Sequence, residues 1–381
     1  VKISLINDWV VDLGGAENVL EVVAKMYPKA PLYTLFYDRE SLARLGLPID
    51  RVHASRLQEH RNIQRNYRSK LPLFPYTIEQ FDLSEYDVLL SLSHCVAKGV
   101  LTRADQLHIC YCHTPVRYAW DLTHSYLAEN GLDHGLKAAF ARWFLHYMRL
   151  WDSQSSNRVD YFIANSQNTA RRIWRAYRRE AQVIYPPIDL TAFQPGETKQ
   201  DYFLFVSRLV PYKKAGLVIQ AFNQLGLPLK VVGDGPEYDK CQRLAGKNVE
   251  ILGYRHGPEL TALMGQARAL VFAAEEDFGM VPVEAQACGT PVIALGKGGA
   301  TETVIAADGF NWDQATGLFF YEQSAVAIKL AVEQFTQWES RFNSRAMISN
   351  AQRFSQERFK QEMQEYIHEQ YQHFHSTERG R

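Results

Sequence analysis

The sequence predicts an α/β protein of two domains, each a parallel sheet covered by helices. Its length of 381 residues is too great for one small core. Apolar runs of strand length alternate with helix-period segments from one end to the other, as in chains built from βαβ units. A proline-rich polar stretch between residues 186 and 200 interrupts that alternation and reads as a linker.

The elements follow in order. Lys2 to Asn7 reads as a buried strand, Gly14-Gly15 as a turn, and Ala16 to Met26 as a helix with Val19, Val22, Val23 and Met26 on one face; Pro28 and Pro31 end it. Val88 to Ser93, His108 to Cys112 and Tyr161 to Asn165 are the next strands, with an aromatic-rich helix from Lys137 to Trp151. Beyond the linker, strands are expected at Tyr202 to Ser207, Leu229 to Gly233, Val249 to Leu252, Ala269 to Ala273 and Pro291 to Ala294, with helices between them. A last long helix places Phe359, Met363, Tyr366, Ile367 and Phe374 on one face, before a polar tail from Ser376 to Arg381.

Composition limits the function classes. Lys and Arg number 42 against 42 Asp and Glu, and 46% of the chain is hydrophobic, which excludes a disordered chain and a generic polyanion binder; no nucleic-acid partner is expected. Cys95, Cys110, Cys112, Cys241 and Cys288 are odd in number and irregularly spaced, so neither a disulfide framework nor a zinc pattern emerges. Asp8 arrives before any signal-like apolar stretch, and no run approaches the roughly 18 residues of a spanning helix. A reducing, cytoplasmic setting is expected, with the inner face of the plasma membrane as a second candidate location. That second location comes from cations next to apolar residues. Arg51, Arg56, Arg61, Arg65, Arg68 and Lys70 face Glu59 alone and precede Leu71-Pro-Leu-Phe-Pro, and a second segment, expected as a basic helix, carries Arg171, Arg172, Arg175, Arg178 and Arg179. An anionic membrane would attract such segments, and a solvated charged face is the equal alternative.

The chemistry concentrates in loops between a strand and the following helix. After the strand ending at Ala273, a loop carries Glu276 and Gly279, and a helix beginning around Pro282 would hold Glu284 in its first turn and end at Gly289. Such a helix start points N–H groups into the crevice where α/β proteins receive phosphates, and two carboxylates there can accept hydrogen bonds from sugar hydroxyls. Spacing alone equally allows a Glu284 that only complements the helix dipole and a solvated Glu276. In Val206-Ser-Arg-Leu-Val-Pro-Tyr-Lys-Lys, Arg208 can hold a phosphate through two hydrogen bonds and Lys213 adds a point charge; a solvated cationic loop is the plain alternative. Gly14-Gly15 would let a ligand approach backbone, or is simply a tight turn. His113 follows a strand and is placed to meet substrate, although a lone histidine beside a proline is more often structural.

Taken together and in this order, Gly14-Gly15, the His-Thr-Pro at His113, Ile163-Ala-Asn-Ser, Tyr185-Pro-Pro-Ile-Asp, Ser207-Arg-Leu-Val-Pro-Tyr-Lys, Val232-Gly-Asp-Gly-Pro and the Glu276 and Glu284 signature resemble the retaining glycosyltransferases of family four. The resemblance implies the GT-B architecture: two Rossmann-like doubly wound domains facing a central cleft, with a C-terminal helix returning to the first domain. The expected divisions are an acceptor-binding domain over 1–196, a nucleotide-sugar domain over 197–355, and a helix and tail over 356–381. It further implies that Arg208 and Lys213 bind the donor diphosphate, Glu284 the ribose, and Glu276 the sugar hydroxyls, helped by backbone groups of Phe278, Gly279 and Met280. Gly14 and Gly15 would lie near the phosphates, His113 near the reaction centre, and Tyr254-Arg255 beside the base. Asp121 is an acceptor-side candidate. Lys214 stands where the family commonly has glycine, leaving two lysines as candidates for the phosphate contact.

The implied reaction moves a hexose with retention of configuration to a saccharide or lipid-linked saccharide. UDP-glucose is the preferred donor and GDP-mannose the alternative, with no metal and no other cofactor. The stretch from His113 to Asp121 looks like that of bacterial envelope-glycan enzymes. A sugar-nucleotide epimerase and a catalytically silent binding subunit are the rival readings; a nicotinamide dehydrogenase lacks its Gly-x-Gly-x-x-Gly.

Overall fold

A computed structural model of the chain describes residues 1–11, 14–129, 131–132, 134–196 and 198–378. It contains two compact units, Val1–Pro187 with Phe359–Arg381, and Ile188–Arg358. The end of the expected tail, 379–381, lies outside the described residues.

The first unit holds seven parallel strands: β1 (Ile3–Asn7), β2 (Leu32–Thr34), β3 (Val52–Ala54), β4 (Val88–Ser93), β5 (Leu107–Cys112), β6 (Tyr161–Ala164) and β7 (Ala181–Val183), in the order β3-β2-β1-β4-β5-β6-β7. Successive side chains on a strand face opposite ways, so each central strand feeds two cores. Leu90, Leu92, Ile109 and Tyr111 pack with Val19 and Val23 of the helix Gly15–Met26 on one face. On the other, Leu89 packs with Phe36, Phe74, Leu145 and Met148. Phe359, Met363 and Ile367, from the helix Gln356–Glu378, complete the first of these cores.

The second unit holds β8 (Phe203–Val206), β9 (Leu229–Val232), β10 (Val249–Gly253), β11 (Leu270–Phe272), β12 (Val292–Leu295) and β13 (Gly317–Phe320), again parallel and ordered β10-β9-β8-β11-β12-β13. Phe203, Phe205, Val231 and Ile293 pack against Phe222 and Phe335, while Leu204, Val232, Leu270 and Ala294 pack against Met264 and Ala285.

In each sheet the chain winds outward in two directions from neighbouring strands, β1 and β4 in the first and β8 and β11 in the second. The loops leaving such a pair part to opposite faces, so a crevice opens at the strands' carboxyl ends.

Several details differ from the sequence expectation. β2, β3 and β7 are three-residue strands, too short for a periodic signal, and were not anticipated; nor was β13. Residues 188–196, expected with the first domain, belong to the second unit. Ile188 N–H donates to Phe354 O at 2.8 Å, Thr261 Oγ1 donates to Ala192 O at 2.9 Å, and Phe193 packs against the second unit's core. Among the described residues no helix is long and apolar enough to cross a membrane. All five cysteines are buried thiols.

Candidate active site

The second unit's crevice is bordered by the loops leaving β8 and β11, which pair through Leu204 and Leu270. The β8 loop carries exposed Arg208 and one tight helical turn, Pro211–Lys213, before the helix Ala215–Leu225. It is pinned by Leu209 N–H donating to Asp234 O at 2.8 Å. The β11 loop carries Glu276 and leads into the helix Met280–Ala287. Across the crevice Lys213 Nζ donates to Glu276 Oε1, with the two side chains 14% and 21% exposed. Burial works against the ammonium, but the attraction of Glu276, with Tyr212 and Asp277, outweighs it and lifts the Lys213 pKa above its ordinary value. Lys213 is therefore a fixed cation.

Lys214 is held differently. Its φ is +62°, the left-handed conformation that glycine adopts without penalty, and it stands at the start of the helix Ala215–Leu225. The glycine of the family pattern thus has a backbone reason, and Lys213 is the lysine that meets Glu276.

The helix Met280–Ala287 begins two residues before the expected Pro282, because Gly279, at φ +85°, ends the loop there. Glu284 consequently occupies the fifth helical position instead of the first turn. Burial and the nearby Glu276 charge push its pKa up to about 7. No side chain caps this helix start; Phe278 and Gly279 lie in the loop before it, and the first-turn N–H groups of Met280 and Val281 suit an anionic ligand. The β11 loop is held from below by Gly298 and Gly299: Gly299 N–H donates to Glu276 O at 2.8 Å, and a Cβ on Gly299 would sit 2.3 Å from Phe278 Cα. Tyr254 and Arg255 leave the end of the edge strand β10. Tyr254 is 59% exposed and stacked on His256, while Arg255 pairs with Glu259 at 2.6 Å.

In the first unit, His113 follows β5 and is nearly buried. Its N–H donates to Ser93 O at 2.9 Å, and its carbonyl accepts from Asn165 Nδ2 at 3.0 Å. Burial, then the neighbouring His94, lowers its pKa to about 3, so the ring is neutral. Its Nε2 is buried and has no hydrogen-bond partner among the described residues. The backbone bonds serve the structural reading of this histidine, whereas the unanswered nitrogen suits a ligand hydroxyl. Gly14 and Gly15 are exposed at the start of the first helix, where Glu17 accepts from Gly14 N–H at 3.0 Å and already supplies a negative group. Asp121 pairs with Arg172 at 3.2 Å and lies 3.7 Å from Arg117. Among the described residues no group of three or more His, Cys, Asp or Glu could hold a metal ion.

Comparison with known proteins gives this geometry relatives. Residues 13–192 match the model of Glycosyltransferase Family 4, and residues 189–354 match that of Glycosyl transferases group 1. Solved GT-B glycosyltransferases superpose on nearly the whole chain. The Anabaena protein HepE (Alr3699) has a TM-score of 0.69 at 19% identity, covering 97% of this chain and 100% of that one. The fold is that of GT-B glycosyltransferases, and each half of the chain matches a glycosyltransferase family model.

Among curated relatives of this chain, an uncharacterized glycosyltransferase of Methanocaldococcus jannaschii is 31% identical over 175 residues, 45% of this chain and 47% of that protein. The D-inositol 3-phosphate glycosyltransferase of Mycobacterium leprae is 30% identical over 240 residues, 54% and 53% of the two. The chain spans about half the length of the curated relatives it matches.

Two parts of these crevices carry no sequence signal strong enough to single them out. One is the Gly298-Gly299 pair, for which adjacent glycines after a strand were the available signal. The other is Asp8 with His94, at the first unit's crevice. The buried Asp8 carboxylate accepts from the N–H groups of His94, Cys95, Val96 and Ala97 at 2.5 to 2.9 Å, and lies 3.2 Å from His94 Nδ1. Nothing in the spacing of residues 8 and 94 announces that contact.

The basic segments also separate into parts. Arg51 is taken up by the carbonyls of Tyr27 and Ala30, and Leu71 and Phe74 are turned into the core. Of the second segment, Arg172 pairs with Asp121 and Arg179 donates to Ser156 O and Asp160 O. The helix there ends at Tyr177, so Arg178 and Arg179 lie beyond it.

Proposed function

We propose that the chain is a retaining hexosyltransferase. It takes its sugar from a nucleotide diphosphate donor, UDP-glucose ahead of GDP-mannose, and passes it to a saccharide or lipid-linked saccharide in surface polysaccharide synthesis. The observation that carries the reading is a fixed cation, Lys213, paired with Glu276, whose charge also reaches Glu284, at a crevice lined by an uncapped helix start. The Anabaena neighbour solved with UDP, with UDP and glucose, and with UDP-glucose favours uridine. Buried free thiols favour a cytoplasmic setting.

As the bond from the anomeric carbon to the diphosphate breaks, negative charge grows on the leaving oxygen. Arg208, Lys213 and the first-turn N–H groups answer that charge more strongly than they answer the ground state, and no metal is required. Glu276 takes sugar hydroxyls and Glu284 the ribose, with Tyr254 and Arg255 beside the base. In the first unit, His113 offers Nε2 to a ligand hydroxyl as a neutral ring. Attack comes from the face the phosphate leaves, and a phosphate oxygen accepts the acceptor's proton, which yields retention.

Calorimetric titration with UDP, GDP, UDP-glucose and GDP-mannose in EDTA tests the reading. One base should bind selectively, and Arg208→Ala should weaken that binding. Lys213→Ala should lower kcat/KM about 100- to 1,000-fold, the range seen when one transition-state donor is removed. Silence toward every nucleotide sinks the reading. Donor conversion without acceptor indicates an epimerase, and binding without turnover a silent subunit.

A further inference from the structure

The helix Gly135–Ser155 has an inward face, Phe144, Leu145 and Met148, that shares one core with Ile63, Leu71 and Phe74. On its outward side Leu136, Phe140, Trp143, Tyr147 and Leu150 are 92%, 59%, 63%, 38% and 59% exposed. Alternating steps of four and three residues align them in one stripe along the helix. The rings of Phe140 and Trp143 lie 5.9 Å apart and those of Trp143 and Tyr147 6.4 Å apart, so the stripe is a continuous ridge. Single exposed apolar residues are ordinary, but five in line mark a binding surface.

Among the described residues, the exposed ionised groups on this helix are of one sign. Lys137 and Arg142 are the exposed ionised residues of this helix, and its one carboxylate, Asp152, is buried against Lys98, Trp120 and Tyr177. The segment packed on the same core carries Arg61, Arg65, Arg68 and Lys70. With His60 they line a concavity of about 620 Å³, and none of the four forms an ion pair among the described residues. An anionic lipid surface answers both features: Trp and Tyr favour the polar and apolar boundary, and the cations favour headgroup phosphates.

We propose that the ridge from Leu136 to Leu150 docks this chain on a membrane containing anionic lipids. The element that inserts is thus the aromatic helix, whereas Leu71 and Phe74 beside the basic segment are core residues. This docking stands apart from the transfer reading, because its test reads lipid binding and not turnover.

The test is co-sedimentation of the full chain with vesicles of phosphatidylcholine alone and of phosphatidylcholine mixed with phosphatidylglycerol, at low and high salt. The wild type should sediment with the mixed vesicles only, and less so at high salt. Phe140→Ser with Trp143→Ser should weaken binding by roughly tenfold or more, given two large apolar side chains lost from the interface. Arg65→Glu with Arg68→Glu should remove most of the salt dependence. Trp143→Phe should keep the binding but lose part of the tryptophan emission shift on vesicles. Both double variants change exposed side chains, so unchanged thermal unfolding shows that they are folded. The proposal is overturned if the serine variant sediments like wild type, if wild type ignores both vesicles, or if wild type is a dimer that the serine variant dissolves.

Discussion

Lys214 holds a φ of +62°, where an L side chain crowds its own backbone at a cost of about 1–2 kcal/mol, while glycine there gives up part of that gain through its freer unfolded chain. Lys214→Gly should therefore raise the unfolding free energy by about 0.5–1 kcal/mol in urea titration and leave nucleotide affinity within about twofold. Glu284 makes the opposite kind of statement, about charge. Its pKa of about 7 in the fold lies above the ordinary carboxylate value, so between roughly pH 4.5 and 7 the folded state binds more proton than the unfolded one. Stability from this group is present below that window and is lost as pH rises through it. Glu284→Gln should flatten this part of the stability profile by about 1–3 kcal/mol, the upper end following from the shift and the lower from partial solvation. An unflattened profile in thermal scans across that window would place the titration elsewhere.

Elements position these residues through backbone contacts that tolerate little change. The β11 loop rests directly on Gly299, and an added Cβ there meets backbone of Phe278 and not a flexible side-chain end. Gly299→Ala should shift the loop that carries Glu276, weakening nucleotide binding roughly tenfold or more and costing about 1–3 kcal/mol, as overpacking does. Calorimetry on the folded variant checks it; unchanged affinity would mean that the loop takes no part in binding. At this scale the sequence was legible where a signal was long. Val88 to Ser93 is a continuous apolar run and forms β4 at the expected residues, and the apolar face of the last helix packs as its spacing requires. It was illegible where three residues suffice for a strand, as at Val52–Ala54, because pairing with Leu32–Thr34 supplies the order that local pattern lacks. The helix start was misplaced at Pro282 because proline announces a first turn without saying which residue opens it. Gly279's left-handed backbone decides that.

For the whole molecule, two units with separate cores predict more than one unfolding event. The nucleotide site proposed at Arg208, Lys213, Glu276 and Glu284 lies within the unit Ile188–Arg358. At about 100 times its dissociation constant a nucleotide should stabilise that unit by about 2.7 kcal/mol. Hydrogen exchange with UDP should show protection concentrated near residues 207–214 and 276–284; protection spread evenly over both units would contradict separate cores. The sequence by itself determined the α/β class, the two-part division and the glycosyltransferase pattern, because apolar period and ordered loop motifs are local properties of a chain. Tertiary structure alone decided that Lys213 and not Lys214 meets Glu276, that Asp8 gathers the N–H groups after β4, and that the ridge at Trp143 faces outward while Phe74 does not. Those outcomes depend on which distant segments pack together, and burial, charge pairing and backbone approach are set by that packing and not by spacing along the chain.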